Sequence, residues 1–250
     1  SLKYFIDLSY NGSKYHGWQV QPNALTVQFI LNKALSMILK SPINCMGAGR
    51  TDTGVHAAKM VAHFESKLIF DIEEVIFKIN AFLPKDIVVN KIQRVLNDAH
   101  ARFDAISRTY FYKIATTKNV FEYDKSYFFN RGLDISLMNS ACQIMMKYKD
   151  FECFSRTKTD VKTFICNIES AKWEQTKNYL GFTITADRFL RNMVRAIVGT
   201  MLNVGTNKIS LDNFQEIIQS KDRSKAGFSA PAKGLYLTEI KYPKSIYLDE

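Results

Sequence analysis

Lys3-Tyr4-Phe5-Ile6-Asp7-Leu8-Ser9, a turn at Asn11-Gly12, and then Thr26-Val27-Gln28-Phe29-Ile30-Leu31-Asn32-Lys33-Ala34-Leu35-Ser36-Met37-Ile38 set the pattern of the chain. The first stretch reads as a strand. Tyr4, Ile6 and Leu8 alternate with Phe5 and Asp7, so both faces carry apolar residues to bury. The second reads as a helix, because Val27, Ile30, Leu31, Ala34, Leu35 and Ile38 recur at helical spacing. Thr26 stands at its N-cap, Leu25 before it as a hydrophobic staple, and Ser41-Pro42 stops the run.

The same alternation continues outward. Met60 to Phe64, Ile87 to Val95 and Arg108 to Thr116 read as strands, the last rich in Tyr, Phe and Thr. Asp71 and Glu74 frame a capping box for a helix from Ile72 to Phe82, stopped by Pro84. Beyond Asp104 the pattern predicts helices over Ser136 to Tyr148, Phe189 to Val204 and Leu211 to Gln219. It predicts strands over Lys162 to Trp173, Tyr179 to Ala186 and Leu235 to Lys241. No strict β-α-β order appears, which favours an α+β fold, antiparallel sheet backed by helices, over a doubly wound parallel sheet. A boundary near Asp104 gives an N-terminal lobe, 1–104, and a C-terminal lobe, 105–250.

Composition agrees with an ordinary globular chain. Of 250 residues, 46% are hydrophobic and 23% charged, which excludes intrinsic disorder. The net charge of +10, from 34 Lys and Arg against 24 Asp and Glu, favours a polyanionic partner. Cys45, Cys142, Cys153 and Cys166 form no C-x-x-C pair and have no His at zinc-ligand spacing, so buried free thiols in a reducing compartment are expected. No apolar run of about 18 residues occurs, and no charged start leads into an apolar segment, so a soluble, cytoplasmic protein without a membrane span is expected.

The densest polar cluster is Gly47-Ala48-Gly49-Arg50-Thr51-Asp52-Thr53-Gly54-Val55-His56. Its glycines permit tight turns or close approach to a ligand. An Arg beside a carboxylate favours the ionised form, and an ionised carboxylate on a shaped loop serves as nucleophile or general base. A plain Asp turn steadied by an Arg pair explains the same residues. The segment matches neither a phosphate-binding loop with a Lys after its second glycine nor a G-x-G-x-x-G fingerprint.

Together with Ala57, that cluster resembles the signature of the tRNA pseudouridine synthase A family. Tyr10-x-Gly12-x-x-Tyr15-x-Gly17-Trp18-Gln19-x-Gln21 is similar to the family's opening motif. Phe82-Leu83-Pro84-x-Asp86-Ile87-x-Val89 and His100-Ala101-Arg102-Phe103-x-Ala105 resemble its middle, and Arg108-x-Tyr110-x-Tyr112 its tyrosine-bearing strand. Asn192-Met193-Val194-Arg195-x-x-Val198-Gly199 and Ala230-Pro231-x-x-Gly234-Leu235 resemble its last third. The blocks follow the family's order across nearly the whole chain. One departure is Lys59-Met60, where the family often has Gly-Gln.

The resemblance implies two similar lobes with the active cleft between them, and a homodimer that holds one tRNA across both subunits. It implies conversion of uridine to pseudouridine in the anticodon arm, at positions 38–40 of tRNA numbering, without cofactor or metal. Asp52 matches the catalytic aspartate. Tyr110 matches the active-site tyrosine, which would stack on a uridine flipped out of its helix. Arg195 is expected to face Asp52 across the cleft, and Arg50 to pair with Asp52 or hold phosphate. Arg188, Arg191 and Arg195 fall at helical spacing, making one face basic. Tyr112 is expected in the core or beside the site, and His56 and His63, with no third ligand in view, as structural or RNA-facing. Trp18, Gln19 and Gln21 either touch nucleotides or shape their loop, while Lys14, Arg102 and Lys158 are candidate phosphate contacts.

Three other functions fit parts of the pattern, one of them the same isomerisation acting on another RNA. A non-catalytic RNA-binding protein would tolerate loss of Asp52, yet Asp52, Arg50, Tyr110 and Arg195 are all present. A glycoside or nucleoside hydrolase would need a second carboxylate or a metal site, and the loop offers one acid. The charge excess predicts that affinity for RNA falls steeply as salt rises, because bound phosphates release counterions. A binding titration over increasing salt checks it, and a flat response would remove phosphate contact as the source of affinity.

Overall fold

The computed structural model describes residues 1–248. In chain order the elements are β1 (Leu2–Tyr10), α1 (Val27–Ile38), β2 (Met46–Gly47), β3 (His56–Ser66), α2 (Ile72–Phe82), β4 (Ile87–Val95) and β5 (Ser107–Ala115). They continue with β6 (Tyr127–Phe128), α3 (Ile135–Met145), β7 (Ile168–Gln175), β8 (Tyr179–Ala186), α4 (Met193–Gly205), α5 (Leu211–Ser220) and β9 (Leu235–Lys241). The fold is α+β, as the sequence pattern predicts. The chain forms two compact units, one of Ser1–Ile106 with the segment from Tyr236 onward, the other of Ser107–Leu235.

In the first unit the strand order is β4-β1-β3-β9, with β2 paired to β3. β1 is antiparallel to both neighbours, Phe5 facing His63 on β3 and Gln93 on β4. The two-sided burial read from β1 is present: Tyr4, Phe5, Ile6 and Leu8 are all buried. Helix α1 starts where the Thr26 hydroxyl accepts the Phe29 N–H at 3.3 Å, and it buries Val27, Leu31, Ala34 and Leu35. Leu25 does not act as a staple; it is 46% exposed. Helix α2 starts where Asp71 accepts the Glu74 N–H at 3.1 Å. The expected return bond from Glu74 does not form, because its carboxylate pairs instead with Lys78, one turn on, at 2.7 Å.

In the second unit β8 lies between β5 and β7, antiparallel to both, with Tyr110 facing Ile184 and Trp173 facing Phe182. Helices α3, α4 and α5 bury Met138, Met145, Met201, Phe214 and nearly all of α4. The largest departures from the periodicity in this unit are at three boundaries. β7 begins at Ile168, not Lys162, and α3 ends at Met145, not Tyr148. Helix α4 begins at Met193 rather than Phe189, because Asn192 adopts a left-handed conformation (φ 67°) that a helix cannot pass through. Among the described residues no helix is long and apolar enough to cross a membrane. The four cysteines are free and buried, and burial pushes the Cys142 and Cys153 thiols up to about 12.

The first unit closes with a loop built on two histidines. Ala101 N–H donates to His63 Nδ1 at 2.9 Å, and the N–H groups of Arg102 and Phe103 both donate to His100 Nδ1, at 3.1 and 3.2 Å. The Asp104 carboxylate accepts from His100 N–H at 2.6 Å, Lys3 Nζ donates to Ala99 O at 2.9 Å, and the Tyr242 hydroxyl donates to Ala101 O. Each imidazole accepts on Nδ1 and must be neutral there. Burial, then coupling to His100 and the positive charge of Lys3, lower the His63 pKa to about 4, with Asp104 opposing.

A histidine lowered in this way takes up its proton in the unfolded chain before the folded one. Its contribution is complete above pH 6.5 and is lost as pH falls towards about 4. The melting temperature is therefore expected to drop across that interval, and more steeply in the wild type than in His63→Asn, whose amide oxygen accepts the same N–H without titrating. Parallel pH curves for the two proteins would show that His63 is not the group responsible.

Candidate functional site

The Asp52 loop leaves β2 and enters β3. Its first residues stay attached to the sheet through Ala48 N–H, which donates to Val61 O at 2.9 Å. Thr51 is buried; its hydroxyl shares a 2.8 Å hydrogen bond with the Tyr10 hydroxyl, and its carbonyl accepts Trp18 N–H at 3.3 Å. Asp52 follows, half-buried, and its carbonyl accepts Val55 N–H at 3.1 Å, so the chain turns directly after it. The turn is fixed from outside by Gly54 N–H, donated to Tyr15 O at 3.2 Å, and by Gly12 N–H, donated to His56 Nδ1 at 2.9 Å.

The opening motif exists to make that approach. A Cβ on Gly12 would lie 1.9 Å from the carbonyl oxygen of Val55. One on Gly17, whose φ is +78°, would lie 2.3 Å from that of Thr51. Only glycine lets backbone meet backbone so closely. Trp18 is fully buried and stacks near Tyr10 with ring centroids 6.5 Å apart. It shapes the loop rather than touching nucleotides, and its indole N–H has no acceptor among the described residues. Gln21 is exposed, with its amide donated back to His16 O at 2.9 Å.

Two residues whose role the motifs did not disclose complete the frame. The Tyr15 hydroxyl donates to Asp86 Oδ1 at 2.6 Å, and Asp86 O accepts Asn11 N–H at 3.0 Å. Burial and then the Asp86 hydrogen bond push the Tyr15 phenol above its ordinary range, so it remains a donor. Asp86 sits in the Phe82-to-Val89 block and Tyr15 in the opening one. Their coupling was invisible because they are distant in sequence.

Arg50 is exposed and forms no ion pair among the described residues, so the expected pairing with Asp52 is not made. His56 and His63 both accept backbone N–H groups, which gives each a structural task. Among the described residues no group of three His, Cys, Asp or Glu side chains is placed to hold a metal ion. Lys59, at the departure from the family pattern, pairs with Glu239 at 2.8 Å and lies 3.9 Å from Asp7. Burial raises the Asp7 pKa, Lys59 and Lys91 lower it, and Glu239 raises it. Lys59 thus supplies positive charge to two acids on its own sheet.

In the second unit Tyr110 is half-buried on β5, its ring edge-on to Phe189 at 5.0 Å and 87°. Tyr112, two residues on, is fully buried and donates to Pro231 O at 2.7 Å. Arg195 lies in the first turn of α4, half-buried, with Nε donating to Ala230 O at 2.8 Å while its own carbonyl accepts Ala230 N–H at 2.9 Å. Arg188 precedes the helix and donates to the carbonyls of Thr163 and Ile165 at 2.9 and 2.8 Å. Since α4 starts at Met193, Arg188 and Arg191 lie outside it, and the basic helix face predicted from spacing does not form. Lys14, Arg102 and Lys158 are exposed.

The family profile described as tRNA pseudouridine synthase matches residues 8–104 and 142–243. The chain belongs to the tRNA pseudouridine synthase family. Its similarity to members of that family runs end to end. It is 51% identical over 247 residues to the tRNA pseudouridine synthase A of Bacteroides fragilis, covering 98% of each chain. To that of Parabacteroides distasonis it is 48% identical over 246 residues, again 98% of each. To that of Bacillus subtilis it is 39% identical over 239 residues, covering 94% of this chain and 97% of the other. Within this tRNA pseudouridine synthase family member, the matched segments hold both the Asp52 loop and the Arg195 turn.

Tyr15→Phe and Asp86→Ala each remove one side of the same hydrogen bond, and each is expected to cost ~1–3 kcal/mol of stability. Combined, they should cost little more than either alone, since the bond can be lost only once. Asp86→Asn keeps an acceptor for Tyr15 and should stay close to wild type. Thermal or urea unfolding of the four variants checks this; additive losses would mean that the two residues do not act through one another.

Proposed function

We propose that the protein isomerises uridine to pseudouridine in the anticodon arm of tRNA, at positions 38–40, with Asp52 as the catalytic residue. The observation that carries the assignment is the construction around Asp52. The buried side chains of Tyr10, Tyr15, Trp18 and His56 and two glycine-permitted backbone approaches all serve to hold one short turn that displays a half-buried carboxylate. A structural aspartate would not require such a frame, whereas a carboxylate that must meet a reacting atom does. Membership of the family supplies the reaction class.

The reaction breaks the bond between ribose C1′ and uracil N1, turns the base, and joins C1′ to C5, which loses its proton while N1 gains one. Nothing is oxidised and nothing is added, so the chemistry calls for no cofactor. Asp52 supplies the carboxylate at the ribose or base. Tyr110 stacks on the extruded uracil; its half-buried ring, braced edge-on by Phe189, is suited to that task. Arg195, its side chain fixed by Ala230, and the exposed Arg50 contact the substrate, Arg50 through phosphate. A tRNA partner, a homodimer and a cytoplasmic setting complete the proposal, on the strength of the family resemblance.

Asp52→Asn is expected to lower pseudouridine formation by on the order of 10²–10⁴-fold while tRNA binding stays near that of the wild type. Tyr110→Phe should retain much of the rate and Tyr110→Leu far less. Both are read by pseudouridine mapping on unmodified tRNA transcripts. Retained turnover in Asp52→Asn would end its catalytic assignment. Equal rates for the two Tyr110 variants would end the stacking role.

A further inference from the structure

We propose that Phe103, with Arg102 and His100 beside it, is a stacking site for an unpaired base of the RNA substrate, separate from the Asp52 loop. The proposal rests on the RNA-directed reading above. Phe103 is 75% exposed, yet it does not sit on a slack loop. Its own N–H and that of Arg102 are both held by His100 Nδ1, the next peptide is fixed by Asp104 N–H donating to His100 O at 3.0 Å, and Ala101 is bonded through its N–H to His63 and through its carbonyl to Tyr242. Every backbone N–H from His100 to Asp104 has an acceptor, and what the turn presents to solvent is a phenyl ring.

The ring is oriented as well as displayed. The His100 imidazole lies against it with centroids 4.1 Å apart and planes within 24°, and the Arg102 guanidinium carbon is 5.8 Å from its centroid. Imidazole, phenyl and guanidinium planes gathered at one surface point match the chemistry that receives unstacked bases, with the cation near enough to meet the adjoining phosphate. Because the ring is already ordered, little entropy is lost when a base settles on it. The charge agrees: Lys3 and Arg102 both act on His100 as positive neighbours, and the chain as a whole carries +10. A nucleobase is therefore favoured over a second copy of this equally basic chain.

The two native tryptophans, Trp18 and Trp173, are at most 1% exposed, which leaves position 103 open to a fluorescent probe. In Phe103→Trp, emission should be quenched on titration with unmodified tRNA transcript, and affinity should match or exceed that of the wild type. Phe103→Leu keeps an apolar side chain without a π face; it should melt like the wild type but bind tRNA about tenfold more weakly or worse. Unquenched emission together with unchanged affinity in Phe103→Leu would overturn the proposal. So would a change of oligomeric state in Phe103→Leu at unchanged RNA affinity, which would mark a contact between copies. If the wild type forms no pseudouridine while Phe103→Trp is quenched, the catalytic assignment falls and the stacking site stands. If the wild type modifies tRNA and Phe103→Leu binds normally, only the stacking site falls.

Discussion

Asp52 is held in place by the meeting of two backbones. Residues 12 to 18 come so close to residues 51 to 55 that no side chain fits between them at Gly12 or Gly17. The contact is polar throughout: peptide to peptide at Trp18 and Thr51, peptide to peptide at Gly54 and Tyr15, peptide to imidazole at Gly12 and His56. Peptide groups are rigid, and hydrogen bonds between them tolerate little displacement. A carboxylate mounted on that seam inherits its precision. The alternative, a free loop anchored by side chains alone, would leave several rotatable bonds between the sheet and the acid.

The sheet then limits how the seam can move. β1 delivers Tyr10 and the glycine turn, β3 begins at His56, and the two are neighbours, with Tyr10 facing Ala57. Both ends of the turn are therefore continuations of one paired ladder. The second unit repeats the tactic with other chemistry. Arg195 and Ala230 exchange hydrogen bonds in both directions, and Tyr112 reaches Pro231 from β5, so the turn at the head of α4 is tied to the strand that carries Tyr110.

Much of this was legible in the sequence. The alternation in Tyr4 to Leu8 and the capped apolar stripe of α1 were strong enough to name an α+β fold, because burial on a sheet and on a helix leaves different periods. The Asp52 turn stood out only through its surroundings, since a lone Gly-flanked aspartate is common. What was missed has definite physical causes. Phe189 to Asn192 carries apolar residues at helical spacing, but a single left-handed residue at Asn192 separates them from α4, and periodicity does not register one dihedral angle. Glu74 had two partners within reach and took Lys78 over the cap. Tyr15 and Asp86 were each visible as motif residues, but no local pattern says that one donates to the other.

The strand that completes the first unit comes last in the chain. β9 meets β3 in parallel at His56 and Ala57, its last residue accepts the Ile106 N–H, and the residues after it are bonded to Leu96 and Ala101. During synthesis, the whole stretch from Lys67 to Gly234 must therefore be made while the β3 edge beside the Asp52 turn waits for its neighbour. An unpaired strand edge is open to any other chain. The acid-bearing turn can reach its final rigidity only once β9 has been made, so a polypeptide ended before β9 would present that edge to its neighbours instead of a finished frame around Asp52.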